Sequence, residues 1–428
     1  MFFRDALATL GFFCNKGWFV FRNDNQINVL LRQGKCGYRV SSFGLVGMDK
    51  KPGNILLVSN YSSDTAYAWW LMEFFWVSIA EEFVKSGRKV YLAYPKITSL
   101  SEVVVASPIE CVEMVMPWRN GNERLVASKL IRDRNISLIY FTDQPYFNLK
   151  YLYMRRYGVT RIIVHDHTPG DRPPVVGLKG LVKSVRNALP WVSADRVFCV
   201  SDYMRKRNIE NSRIPSRKCV VIQNGIFPID CSKRKTSGLR VALELRSESL
   251  LVITTGRAHP YKRFDFIIEC ASELRKMSVD LDVVFLLVGD GPALVDLQML
   301  ITKLDLVDTV LLLGYRNDVR DLLCMSDVAL HAALGEGFSL SIVEYMSAGL
   351  PVLVPDITSV CQAIMHEKTG LIYTSGDASE VASYIIGLSA DKDRRRKLGD
   401  AAKAEADACF SIDGSREGLL DAIREILH

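Results

Sequence analysis

Short, almost wholly apolar runs recur along the chain, separated by longer stretches in which apolar residues return every three or four positions. NILLVSN from Asn54 reads as a buried strand, Asp64 to Ser86 as a helix, and RKVYLAY as the next strand after Gly87. The alternation continues through ISLIYF at 136–141, RIIV at 161–164, DRVFCV at 195–200 and KCVVIQ at 218–223, with helices between them. Strands that are apolar on both sides belong to a parallel sheet covered on both faces, and strand–helix repetition builds such a sheet.

The pattern breaks at PIDCSKRKTSGLR, residues 228–240, which is polar, basic and rich in turn residues. It restarts with LLVITTG at 250–256, DVVFLLVGDGP at 282–292, TVLLLG at 309–314 and VALH at 328–331. The expected fold is therefore α/β, with two Rossmann-like, doubly wound parallel-sheet domains facing a cleft. The expected divisions are an N-terminal extension over 1–50, a first domain over 51–230 and a linker over 231–241. A second domain follows over 242–410, and a C-terminal helix over 411–428 can cross back to the first domain. Residues 1–50 are aromatic-rich and irregular, and no function is read from them.

At 428 residues the chain exceeds one core, and 49% hydrophobic with 24% charged residues is a globular balance. The net charge of +6 conceals an asymmetry: residues 1–240 hold 36 Lys and Arg against 19 Asp and Glu, whereas the remainder holds 18 against 29. A basic first half suits an anionic membrane surface, a phosphorylated acceptor or nucleic acid. The most apolar window, AYAWWLMEFFWVSIA at 66–80, is interrupted by Glu73 and is too short to span a bilayer; a mostly buried amphipathic helix is expected there. The amino terminus lacks a signal-peptide pattern. The ten cysteines are scattered with no C-x-x-C pair, which points to reduced, buried thiols in a cytoplasmic protein and neither disulfides nor a metal site.

The chain centres on VALHAALGEGFSLSIVEYMSAGLPVLVPD, residues 328–356, which reads strand, loop, helix, strand. Ser339 suits a helix N-cap, Gly349 the C-terminal turn, and Pro351 stops continuation. Glu336 lies in the loop and Glu344 inside the helix, so helical rise sets them on the order of 10 Å apart. Between them, Gly337, Phe338, Ser339 and Leu340 present the N–H groups of a helix start, which suit hydroxyl or phosphate oxygens. In TTGRAHPYKRFDFII, Arg257 and Lys262 flank a proline-containing loop after a strand, where fixed cations can neutralise a departing diphosphate. Gly289 opens a Gly-Asp-Gly turn, and Tyr315 and Arg316 follow the next strand. In RIIVHDHTPGDRPP, His165 and then His167 stand at a strand end; His259 and His331 are secondary candidates.

The string E-G-F-S-L-x-x-x-E, with the small-residue turn and P-V-L-V-P after it, resembles the E-x7-E signature of retaining glycosyltransferases of family 4. The resemblance covers roughly residues 50–420 and implies the GT-B fold. It further implies that Glu336 contacts the donor sugar, Glu344 the ribose, and Arg257 and Lys262 the diphosphate. It places the loop carrying Tyr315 and Arg316 beside the base and a histidine, His165 before His167, near the reacting carbon. The implied activity is metal-independent, cofactor-free transfer of a hexose from a nucleotide-diphosphate sugar to a glycan or lipid-linked acceptor. Such a transferase would serve surface polysaccharide or glycoconjugate synthesis in the cytoplasm or at the inner membrane face, without nucleic acid. The alternatives are a non-catalytic nucleotide-sugar-binding subunit of a polysaccharide assembly complex and a GT-B epimerase. One departure stands out: SNYSSDTAYAWW replaces the family's Gly-Gly loop after the first strand, which leaves ligand contact by Ser62 and Ser63 open.

Overall fold

The computed structural model describes residues 12–14, 18–23, 26–33, 37–44, 52–65, 69–170, 172–233 and 237–427. Two compact units divide the chain, Met1–Gly53 and Asn54–His428. The first contains an antiparallel sheet with strands in chain order: β1 (Phe12–Cys14), β2 (Trp18–Asn23), β3 (Gln26–Gln33) and β4 (Gly37–Gly44). Phe19 pairs with Leu30 and Leu30 with Val40 in register. The irregular reading of residues 1–50 is corrected by this meander. Consecutive antiparallel strands need only tight turns between them, so they show none of the strand–helix rhythm that marks the rest of the chain.

The second unit carries two parallel sheets. One has the order β11-β10-β9-β8-β5-β6-β7, built from β5 (Asn54–Val58), β6 (Val90–Tyr94), β7 (Ile109–Glu113), β8 (Ile136–Thr142), β9 (Arg161–Asp166), β10 (Arg196–Cys199) and β11 (Cys219–Val221). The other has the order β14-β13-β12-β15-β16-β17, built from β12 (Leu250–Thr255), β13 (Val283–Val288), β14 (Val310–Gly314), β15 (Val328–Leu330), β16 (Val352–Pro355) and β17 (Gly370–Tyr373). Every residue of β12 and β13 is buried, as strands covered on both faces must be. In each sheet the sequence order reverses once, between β5 and β8 and between β12 and β15. Crevices for ligands open at the carboxyl ends of strands at such reversals.

Two boundaries differ from the sequence reading. The first helix is Trp69–Val84 and does not begin at Asp64, because Thr65 folds back onto the Ser62 carbonyl in a turn. The segment expected as a linker holds a 3-10 turn at Cys231–Lys233 and a helix at Ser237–Ala242. Cys231 is joined to Cys324 in a disulfide, which corrects the expectation of reduced thiols throughout. The partners are 93 residues apart and meet only because the turn packs on the second sheet's lobe, a proximity that spacing does not reveal. Cys409, moreover, is exposed.

The final helix, Ile412–Leu427, leaves the second lobe and completes the core of the first. Ile412, Leu419 and Ile423 join Ile55, Leu57, Phe75 and Trp76 in one buried cluster. The return is fastened at Gly225, where any Cβ would overlap the Ser411 carbonyl, and by Ile226, which accepts from Ile412 and donates to the Phe410 carbonyl.

Candidate functional site

Loops at the carboxyl ends of β12 and β15 form the centre. After β12 the chain makes a 3-10 turn, Pro260–Lys262, and Arg263 takes a left-handed φ of 56° before the helix Phe264–Met277 begins. Leu334 N–H donates to the Tyr261 carbonyl at 2.9 Å, tying the loop after β15 to this turn. Across that tie the Lys262 ammonium is ion-paired with Glu336 Oε1, and His331 Nε2 lies 3.2 Å from the same oxygen. The three side chains are 12%, 11% and 2% exposed.

This geometry fixes the charges. Burial alone would raise the Glu336 pKa, but the Lys262 charge and the His331 hydrogen bond bring it down to about 2. Burial pushes His331 below the usual imidazole range. Near neutrality Glu336 is therefore an anion and His331 neutral, with Nε2–H donating to the carboxylate. Glu344, half-buried on the helix Leu340–Ser347, differs: burial lifts it to about 7, with Arg320 offsetting only part.

The other residues named from the sequence divide into two groups. Arg257 is exposed at the rim of the β12 loop. Gly289 has φ of 144°, and a Cβ there would overlap the Gly256 carbonyl; its N–H donates to the Gly314 carbonyl at 2.8 Å. Its glycine thus permits three strand-end loops to stack, which accounts for the residue without a ligand. Tyr315 is exposed, whereas Arg316 is held by Asp318 through contacts of 2.8 and 2.5 Å. Phe338 and Leu340 turn their side chains into the hydrophobic cores, so Gly337 through Leu340 offer a ligand mainly their backbone. Ser339 occupies the N-cap position without capping: its buried Oγ has no hydrogen-bond partner among the described residues. The expected cap is corrected accordingly.

Across from these loops lie the carboxyl ends of β9 and β10. The Gly337 carbonyl accepts from Ser201 Oγ at 3.2 Å, and Gly337 and Gly335 pack on the backbone of His167 and Gly170. His165 does not enter this gap. It is fully buried, hydrogen-bonded through Nδ1 to Tyr140, and packed by Phe75 and Phe198, which corrects its expected place beside a reacting sugar. Positions i and i+2 share a face of a strand, and the His165 and His167 rings lie 4.2 Å apart; His167, just past the end of β9, is 20% exposed and 3.7 Å from Asp143. His167 is the less buried of the two, yet both of its ring nitrogens are buried without a hydrogen-bond partner among the described residues. Ser63 is occupied structurally, accepting from Thr98 N–H at 2.9 Å.

His331, named from the sequence only as a secondary candidate, touches the central carboxylate from the end of β15, five residues before Glu336. One feature was missed in the sequence. Asp166 is buried among Tyr146, Asn208 and Arg207, while Arg207 also donates to the Thr168 carbonyl at 3.0 Å and to that of Gly170. This network shapes the His167–Gly170 loop. Among the described residues no group of three or more His, Cys, Asp or Glu is placed to share a metal ion.

The comparisons accord with this arrangement. Residues 72–228 match the model of Glycosyltransferase Family 4 and residues 238–405 that of Glycosyl transferases group 1, one on each lobe. The phosphatidylinositol N-acetylglucosaminyltransferase GPI3 subunit of Saccharomyces cerevisiae is 30% identical over 217 residues, covering 48% of this chain and 47% of that protein. The UDP-Gal:alpha-D-GlcNAc-diphosphoundecaprenol alpha-1,3-galactosyltransferase of Escherichia coli is 28% identical over 222 residues, covering 49% and 57%. The chain thus spans about half the length of these curated relatives. A glycosyltransferase from Rickettsia africae superposes with a TM-score of 0.72 at 17% identity, over 88% of this chain and 99% of that one. With one family match on each lobe and two facing parallel sheets of the GT-B kind, the chain belongs to glycosyltransferase family 4.

Proposed function

We propose that the chain is a retaining, metal-independent hexosyltransferase that moves a sugar from a nucleotide-diphosphate donor to a hydroxyl of a glycan or lipid-linked acceptor. The observation that carries this reading is the buried Lys262–Glu336–His331 cluster at the switch point of the second sheet, opposite the His167 loop. A permanently ionised Glu336 is an acceptor for sugar hydroxyls. Glu344, one helix turn deeper, suits the ribose. Arg257 at the rim and Lys262 supply positive charge where a diphosphate leaves, and fixed charge stabilises a departing anion without reorganisation. Retention follows if the leaving phosphate itself takes the proton of a hydroxyl arriving on the same face. A lipid-carried acceptor accords with the names of the yeast and E. coli relatives, and would place the reaction at a cytoplasmic membrane face.

The test incubates the purified chain with UDP-, GDP- and ADP-hexoses and a polar lipid extract, following nucleoside diphosphate release and the anomeric configuration of the product. One donor is expected to be consumed, with retention. Arg257→Ala, at an exposed position, should lower turnover by about 10²–10³-fold while the melting temperature holds. No turnover of any donor, or an inverted product, refutes the reading.

A further inference from the structure

One helix of the first lobe is built inside out. Gly177–Ala188 turns Gly180 and Asn187 inward, with Ser184 half-buried beside them. Asn187 Nδ2 donates to the Ser212 carbonyl at 2.8 Å, Lys218 donates to the Asn187 carbonyl at 3.1 Å, and a Cβ on Gly180 would crowd the Val175 carbonyl. The opposite face carries Leu178, Leu181, Val182 and Val185, spaced i, i+3, i+4, i+7, and these are 76%, 62%, 58% and 54% exposed. Val176 just before the helix and Trp191 just after it are 68% and 62% exposed. Amphipathic surface helices normally bury the apolar stripe, so a polar face packed inward and an apolar face in water need a partner.

The surrounding charge identifies the partner. Between Arg172 and Ala194 the chain has Arg172, Lys179, Lys183 and Arg186 and no Asp or Glu. Lys183 lies close enough to Arg172, Arg186 and Arg213 that, after burial, their charges depress its pKa. A second copy of the same face would bring these cations together, and lysine is depleted from the centres of protein interfaces. An apolar stripe flanked by Lys and Arg, with a tryptophan at its end, suits a helix lying in the headgroup layer of an anionic bilayer. The segment leading into it begins at Gly170, which packs against Gly335 of the central loop.

We infer that Gly177–Ala188 is a membrane-contact helix that seats the first lobe on anionic lipid with the cleft mouth beside the headgroups. The inference deepens the proposal of a lipid-carried acceptor, yet its test uses neither donor nor acceptor, so either can fail alone. The full chain is sedimented with phosphatidylcholine vesicles with and without about one-third phosphatidylglycerol, at low and high salt. Wild type should bind the anionic vesicles and release partly in salt. Lys179→Ala should weaken binding about fivefold. Leu178→Ser with Leu181→Ser and Val185→Ser should weaken it on the order of 100-fold at either salt, with unchanged circular dichroism, since all three side chains face water. Failure of wild type to bind, or undiminished binding by the triple variant, overturns the inference. So does a dimer in solution that the triple variant abolishes without any effect on vesicle binding, because the face would then join two copies.

Discussion

Two glutamates on one loop and helix are shifted in opposite directions from the ordinary carboxyl value, and the difference is measurable. Glu336 is kept at about 2 by Lys262 and His331 against the cost of burial; Glu344 has no such cation in contact and is lifted to about 7. A carboxyl raised on folding stabilises the native state fully below its unfolded pKa, and that contribution is lost as pH rises through the folded value. For Glu344 the window therefore runs from about 4.5 to about 7, separate from that of Glu336, whose contribution is lost only as pH falls toward 2. Wild type should lose about 1–3 kcal/mol across pH 4.5–7 relative to Glu344→Gln, the range allowing for screening at a half-buried group. Denaturant unfolding of both proteins across that interval measures it, and parallel curves refute it. At this scale the acids and Lys262 were legible because strand and loop order places them. The histidines were not: His165 and His167 are two residues apart, and choosing between them requires knowing that Phe75 and Phe198 close over the first.

Elements built from unbroken apolar runs were readable because parallel strands covered on both faces permit little else. What escaped was how loops touch. The Gly-Asp-Gly turn after β13 reads equally as a ligand cradle or a tight turn; only the stacking of Gly289 on the Gly256 carbonyl decides for packing. Gly289→Ala must both leave a φ of 144° and push that carbonyl away, so a loss of roughly 2–4 kcal/mol is expected. Gly418 offers the opposite case within the helix Ile412–Leu427: it is exposed, and nothing lies within 4 Å of its would-be Cβ. Gly418→Ala should stabilise by about 0.5–1 kcal/mol, because alanine restricts the unfolded chain and favours the helix. Urea midpoints of the two variants test both signs; equal shifts would show that the glycines are interchangeable.

The two lobes are one folding problem, since the last helix of the chain is part of the first core. The sequence reading let this helix cross back to the first domain but did not say which residues would receive it. Those were hidden because β5 and the helix Trp69–Val84 lie more than 300 positions earlier in the chain. The clamp has an apolar part, in which Ile423 is fully buried against the cluster of Ile55 and Phe75, and an ionic part, in which Arg424 meets Glu82 beside solvent. Burial should dominate. Deleting methyl groups from a filled site loses transfer energy and leaves a cavity, whereas an exposed ion pair exchanges one set of solvated charges for another. Ile423→Ala is expected to lose about 2–4 kcal/mol, and Arg424→Ala to stay near wild type. Because the helix bridges both lobes, the Ile423 loss should appear in the unfolding of the whole second unit. Fluorescence of Trp69, Trp70 and Trp76 in the first lobe should shift at the same denaturant concentration as a probe in the second. If the first-lobe tryptophans move early while the second lobe stays folded, the helix serves one lobe only and the lobes unfold independently.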